Sequence, residues 1–267
     1  MSLVEVMATS IVLDTNGYEH ISYSEYNTSA VNYASYNGTA WTIQTIGTDH
    51  GQNSSIALDS DGYAHISYED DTNSILKVAS YNGTGWNVMT VGTDSPTGVA
   101  NSIYVDTSGG IHVGYSGNSQ VKYAYYNGSS WTIQNVDAGS NVGTFTSMVF
   151  DSNGRPYIAY NEFVGPTLTN IKVAYFNGSG WETEIVASLT GVLTVGDSPT
   201  DRALAIYNDY LYLSFGNEAR DLVLYTNAPQ GLVSEPSTNI LGIMIFILIG
   251  LTLIKKSKVV GPLRFRS

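Results

Sequence analysis

The sequence predicts an all-β protein, a β-propeller of four-stranded blades of about 45 residues each, on three observations. The first is an internal repeat: Asp14, Asp59, Asp106 and Asp151 follow one another at 45, 47 and 45 residues. Each is followed at +3 by glycine (Gly17, Gly62, Gly109, Gly154) and at +9 by tyrosine (Tyr23, Tyr68, Tyr115, Tyr160). The second is an Asn-Gly pair in every copy, beginning at Asn37, Asn82, Asn127 and Asn177, with Trp41, Trp86, Trp131 and Trp181 four residues on. The third is composition: 27 glycines, 20 tyrosines, no cysteine and 13% charged residues suit short strands joined by tight turns.

The second copy justifies the four strands in order. Ser55–Asp59 alternates, Asp59–Gly62 is turn chemistry, and Ala64–Tyr68 alternates again. A polar loop leads to Leu76–Tyr81, and Asn82-Gly83 opens a hairpin into Trp86–Val91. One such blade cannot bury both faces, so neighbours must stack, with the recurring Tyr and Trp as packing surface. The copies fall at about 8–50, 54–96, 101–141 and 146–195, with a partial fifth at 203–226, together a repeat domain of residues 1–226. The fifth copy carries three strand-like runs, Leu204–Tyr207, Leu211–Phe215 and Leu222–Tyr225, without Asn-Gly or Trp. Leu3–Met7 is expected to supply its fourth strand and close a five-bladed ring, or else to mark a start inside a longer gene product, since no basic and apolar leader opens the chain.

After the repeats come a linker at 227–239, an uncharged run at 240–254 and a basic tail at 255–267. The apolar run is read as a single transmembrane helix rather than a buried core helix, because a propeller has no place for one. Lys255, Lys256 and Lys258 behind it put the tail in the cytoplasm and the repeats outside. Glu235-Pro236-Ser237, the apolar span and the basic cluster, in that order, resemble the bacterial PEP-CTERM sorting signal, with Ser234 where the first proline usually stands. The resemblance implies an exosortase-type sorting protease as partner and a place at the cell envelope, as a single-pass membrane protein or released to the surface or extracellular matrix.

Charge narrows the partners. The chain has a net charge of −12, and residues 1–233 alone hold 6 basic and 22 acidic residues, net −16. Such a body repels phosphate backbones, which argues against nucleic acid.

The candidate sites read as scaffold. His20, His65 and His112 stand at +6 from the repeat aspartates, with Tyr157 in the fourth copy. A propeller arranges them as a ring, but zinc needs ligands converging at about 2 Å, so local hydrogen bonding is expected instead. Asp59 and Asp61 are calcium candidates, against the Asx-turn that these residues make without an ion, and no cofactor is expected. The turns resemble the Asp-boxes of sialidase propellers without their Ser and Trp positions. The Asn-Gly-Ser/Thr tripeptides satisfy a glycosylation sequon and are explained by the hairpin. Neither a carboxylate pair nor a nucleophile with its base can be located, and Arg155, Arg202 and Arg220 do not follow the repeat. The function expected is therefore a non-catalytic surface propeller that binds glycan or protein or contributes to a matrix. The alternative is a carbohydrate-active propeller enzyme: a glycosidase, sialidase-like, or a polysaccharide lyase.

Overall fold

The computed structural model describes residues 6–25, 27–47, 51–92, 101–139, 141–190, 203–216 and 222–228. All of its regular structure is β, and there is no helix among the described residues. The first sheet holds β1 (Val6–Leu13), β2 (Glu19–Glu25), β3 (Val31–Tyr36) and β4 (Trp41–Gly47). The second holds β5 (Gly51–Leu58), β6 (Ala64–Asp70), β7 (Ile75–Tyr81) and β8 (Trp86–Gly92). The third holds β9 (Ser102–Val105), β10 (Ile111–Gly117), β11 (Gln120–Tyr126) and β12 (Trp131–Asp137). The fourth holds β13 (Val142–Phe150), β14 (Pro156–Gly165), β15 (Leu168–Phe176) and β16 (Trp181–Thr190), and a three-stranded fifth holds β17 (Ala203–Tyr207), β18 (Tyr210–Gly216) and β19 (Leu222–Thr226). Every sheet is an antiparallel meander in sequence order, so the repeats are four-stranded antiparallel sheets as their pattern predicts.

Both repeated hairpins are built by a side chain that feeds on its own turn. Asp59 Oδ1 accepts the backbone N–H groups of Asp61 (3.0 Å) and Tyr63 (2.8 Å), and the other three repeat aspartates do the same. Asn82 Oδ1 accepts the N–H groups of Thr84 and Gly85, as Asn37, Asn127 and Asn177 do in their turns. These are Asx-type turns, which satisfy loop donors without an ion. Gly38 and Gly83 adopt φ of +86° and +88°, and a Cβ there would stand 2.5 Å from the Tyr18 hydroxyl and 2.9 Å from that of Tyr63. The tyrosine after the Asp turn thus lies against the Asn-Gly turn and locks the two hairpins of one sheet together.

The chain divides into two compact units, residues 1–148 and 149–267. In the first, apolar side chains of consecutive sheets interdigitate. Val31 and Tyr33 pack with Ile56, Ile66, Tyr68 and Ala79, and Leu76, Val78 and Val91 pack with Ile103, Val113, Tyr115 and Ala124. Polar contacts stitch the first strands of successive sheets. Ser10 Oγ accepts the Ile56 N–H at 3.3 Å, Ser55 Oγ that of Ile103 at 3.4 Å, and Ser102 Oγ that of Met148 at 3.2 Å. Trp86 follows the same logic at the other edge of the sheet: its Nε1 donates to Gln44 Oε1 at 2.8 Å and its ring stands edge-on to Tyr33. In the second unit, Ala159, Ile171 and Val173 form a cluster with Leu204, Leu211 and Leu213.

One expectation needs correction. Val6 and Met7 do not belong to a separate fourth strand; they open β1, where Val6 pairs with Glu25 of β2. Residues 3–5 lie outside the described residues.

Candidate functional site

Antiparallel connectivity sorts each sheet into two ends. The Asp turn and the Asn-Gly turn share one end, and the hairpin between second and third strands lies at the other. The first end is nearly invariant from copy to copy, whereas the second varies in length and residue type, as Thr28–Ala30, Asp71–Ser74 and Asn118-Ser119 illustrate. Variation on a repeated scaffold is where function is built.

At the invariant end the histidines are held locally. Asp59 Oδ2 lies 3.2 Å from His65 Nε2, and Asp106 Oδ2 lies 3.0 Å from His112 Nε2. A carboxylate only accepts, so Nε2 carries the proton and Nδ1 is left as an acceptor. It receives the Ser80 hydroxyl at 2.8 Å in the second sheet and the Tyr123 hydroxyl at 2.6 Å in the third. In the first sheet the Tyr33 hydroxyl is 2.5 Å from His20 Nδ1. Burial lowers the pKa of His20 and His112, against the pull of Asp14 and Asp106, and burial raises the phenols of Tyr33 and Tyr123. Asp106 is also raised by burial, but the donors Ser108, His112 and Gly110 bring it down to about 2. Both oxygens of Asp59 face N–H donors, so its pairing with Asp61 is a turn. Among the described residues no group of three or more His, Cys, Asp or Glu is arranged to hold a metal ion. In the fourth sheet Arg155 replaces histidine as partner of the turn carboxylate, with Asp151 Oδ2 2.6 Å from its Nη2. Arg202, Arg220, the motif Glu235-Pro236-Ser237, the run 240–254 and Lys255, Lys256 and Lys258 lie outside the described residues.

The variable end of the first unit holds a network that the repeat does not predict. Ser24, Glu69, Ser116 and Asn161 are equivalent, each ten residues after its repeat aspartate, and only Glu69 carries a charge. It is buried, at 8% exposure. Asn53 sits at a register break in β5 in the left-handed region, φ +52°, which aims its Nδ2 at Glu69 Oε2 at 3.0 Å. The chain of donors continues: Asn101 Nδ2 donates to the Asn53 carbonyl at 2.6 Å, and Ser67 Oγ to Asn101 Oδ1 at 2.5 Å. Burial pushes Glu69 up to about 7, with Asn53 opposing and Asp71 adding to the rise. No second hydrogen bond reaches this carboxyl among the described residues.

Next to it, Asp70 is fully buried and pairs with Lys77 at 2.7 Å. Burial raises its pKa, but Lys77 and Asn73 outweigh that and hold it low. The first sheet places Glu25 at the same end, accepting from Asn32 Nδ2 (3.0 Å) and Thr28 Oγ1 (2.7 Å). In the second unit Glu162 accepts from Asn170 Nδ2 at 2.8 Å, with Lys172 3.4 Å away. Carboxyls, amides and hydroxyls dominate, and Lys77 and Lys172 are each tied to an acid. In general, carboxyls accept from hydroxyl groups and side-chain amides both accept from them and donate to them.

Sequence reasoning passed over Glu69, the stitching serines and Ser80. Ser10, Ser55, Ser102 and Ser147 all stand four residues before the repeat aspartate, so that part was legible. Glu69 was legible only as a break in register.

No family model matches the chain, and no curated protein matches it. Among solved structures it is similar to a protein of unknown function from Dyadobacter fermentans, at 11% identity over 84% of this chain and 78% of that one, TM-score 0.59. An exo-β-1,3-galactanase from Phanerochaete chrysosporium is similar at 10% identity over 82% of this chain and 60% of that one, TM-score 0.50. The lectin of Aleuria aurantia, solved with Fucα1-6GlcNAc, aligns at 14% identity over 86% of this chain and 95% of that one, TM-score 0.43. The fold is a β-propeller-like succession of repeated sheets.

Proposed function

We propose that this chain is a β-propeller that binds neutral glycan at the variable ends of its sheets and leaves the sugar chain intact. The observation that carries the reading is Glu69: a buried carboxyl in a position otherwise filled by Ser or Asn, oriented by Asn53 and with hydrogen-bonding capacity to spare. A group that breaks a structural repeat and is costly to ionise where it stands is what a binding site leaves in a scaffold. The fold shared with the fungal galactanase supports the architecture and leaves the ligand to the site itself.

The tail completes the proposal. Glu235-Pro236-Ser237, the apolar run 240–254 and the three lysines behind it support export, exosortase recognition and a place at the cell envelope. Closure of the repeats into a five-bladed ring belongs to the same reading.

A second reading, a carbohydrate-active enzyme, draws on the same residue: a carboxyl with a pKa of about 7 is suited to general-acid work. It also needs a second carboxylate flanking the scissile bond. The purified chain on an array of neutral and acidic polysaccharides, with released reducing ends and unsaturated sugars assayed in the same wells, separates the two. Retention on neutral glycans without release is expected. Release would establish the enzyme, and retention only on uronate-rich glycans would overturn the neutral-ligand assignment.

A further inference from the structure

Two hydrogen-bonded Asp–His pairs stand at the invariant end, Asp59–His65 and Asp106–His112, with His20 at the equivalent place in the first sheet, and the three histidines differ in the hydroxyl that each faces. In the first and third sheets His20 and His112 face phenols, Tyr33 and Tyr123, whose ionisation burial disfavours. In the second sheet Val78 replaces that tyrosine, and His65 Nδ1 instead meets the aliphatic alcohol of Ser80 at 2.8 Å. Asp59 Oδ2 fixes the proton on Nε2 at 3.2 Å, so the Nδ1 lone pair points at the serine hydroxyl. Nucleophile, base and orienting carboxylate stand in line within hydrogen-bond reach, and such a set is recognised by geometry and role rather than by fold.

The tryptophans that follow the Asn-Gly turns differ in the same way. Trp86 Nε1 is satisfied by Gln44, which pairs with Tyr33 across β3 and β4. The residues equivalent to Tyr33 and Gln44 in the second sheet are Val78 and Met89, themselves a cross-strand pair. Trp131 of the third sheet packs on the cluster that contains Val78, and its Nε1–H is buried with no acceptor. Loss of the Gln44-type acceptor in the second sheet thus accounts for this unsatisfied donor.

We propose that Ser80, His65 and Asp59 form an acyl-transfer site for short-chain carboxylic esters. Ser80 is half-buried and His65 buried, which limits the acyl group to a short one. Ser80 Oγ attacks the ester carbonyl while its proton passes to His65 Nδ1. The tetrahedral adduct collapses with cleavage of the carbonyl–alkoxy bond, and the departing alcohol takes the proton from His65. Water, deprotonated by the same nitrogen, then releases the carboxylic acid and restores Ser80. Ser80 and His65 are the catalytic residues; Asp59 is a positioning residue. This activity goes beyond the glycan reading and stands without it.

The test uses the full chain with 4-nitrophenyl acetate as substrate and an alkyl fluorophosphonate as trap, the adduct being located by peptide mass. Expected are a phosphonyl adduct on Ser80, with fluoride displaced, and a loss of esterolysis of at least about tenfold in Ser80→Ala. Asp59→Asn keeps the Oδ1 acceptor of the turn but presents an amide N–H to His65. It should lower kcat with KM unchanged, which loosening of the turn alone would not do. A folded chain, by circular dichroism, that forms no adduct, or forms it equally in Ser80→Ala, overturns the proposal. Failure here with glycan retention intact leaves the binding function standing, and the converse separates them equally.

Discussion

At position 69 the repeat asks for a small neutral side chain and receives a carboxyl. Its pKa rises from 4.5 to about 7 on folding. A group raised in this way contributes stability that is fully present below the unfolded value and is lost as pH rises through the folded one. A span of that size corresponds to about 3 kcal/mol. Glu69→Gln should therefore stabilise the chain by about 2 kcal/mol at pH 8 and change little at pH 4, read from urea midpoints; equal effects at both pH values would sink the assignment. A second residue-scale prediction concerns the unpartnered indole. Met89→Gln gives Trp131 Nε1 the acceptor that Gln44 gives Trp86, and should raise stability by about 1 kcal/mol, whereas Gln44→Met should lower it by about 1–2 kcal/mol.

The hairpins were the most legible elements, because their side chains bond to their own turns: Asp59 and Asn82 announce both the strand ends and the turn type. Strand bounds followed, with Ala64–Tyr68 observed as Ala64–Asp70 and Trp86–Val91 as Trp86–Gly92. Glu69 and Ser80 were not legible as a site, since what distinguishes them is a neighbour brought in from another strand: Asn53 in one case, His65 in the other. The locked turns make a sharp comparison. Gly83→Ala places a Cβ against the Tyr63 hydroxyl at positive φ and should cost about 1–2 kcal/mol; Gly85→Ala, two residues on with open space around it, should cost little. The relays add a pH dependence. His20 and His112 have folded pKa values below 6.5, so the unfolded chain takes up protons first as pH falls. Their contribution is complete above about 6.5 and is lost as pH drops below it. With Glu69→Gln as the background, which removes the opposing titration of that carboxyl, midpoints measured from pH 7.5 to 5.5 should fall, and less steeply when His112→Gln is added; a flat profile there would contradict the buried neutral histidines.

At the scale of the whole chain, one unit of sequence is used again and again, and a lone sheet of this kind cannot bury both of its faces. Within residues 1–148 that bargain is visible twice over, in the two apolar clusters and in the serines that stitch first strands together. The repetition fixes one end of each of the four full sheets and frees the other, and on the proposed reading that free end is where an uncharged, hydroxyl-rich ligand binds. The most direct measurement compares retention on the neutral glycan array for the full chain, for Glu69→Ala and for Trp41→Ala, the last altered at the invariant end. Loss of retention by at least about tenfold in Glu69→Ala, with Trp41→Ala unchanged, is the result expected. Loss in Trp41→Ala with Glu69→Ala unaffected would move the binding surface to the opposite end of the sheets and contradict the account.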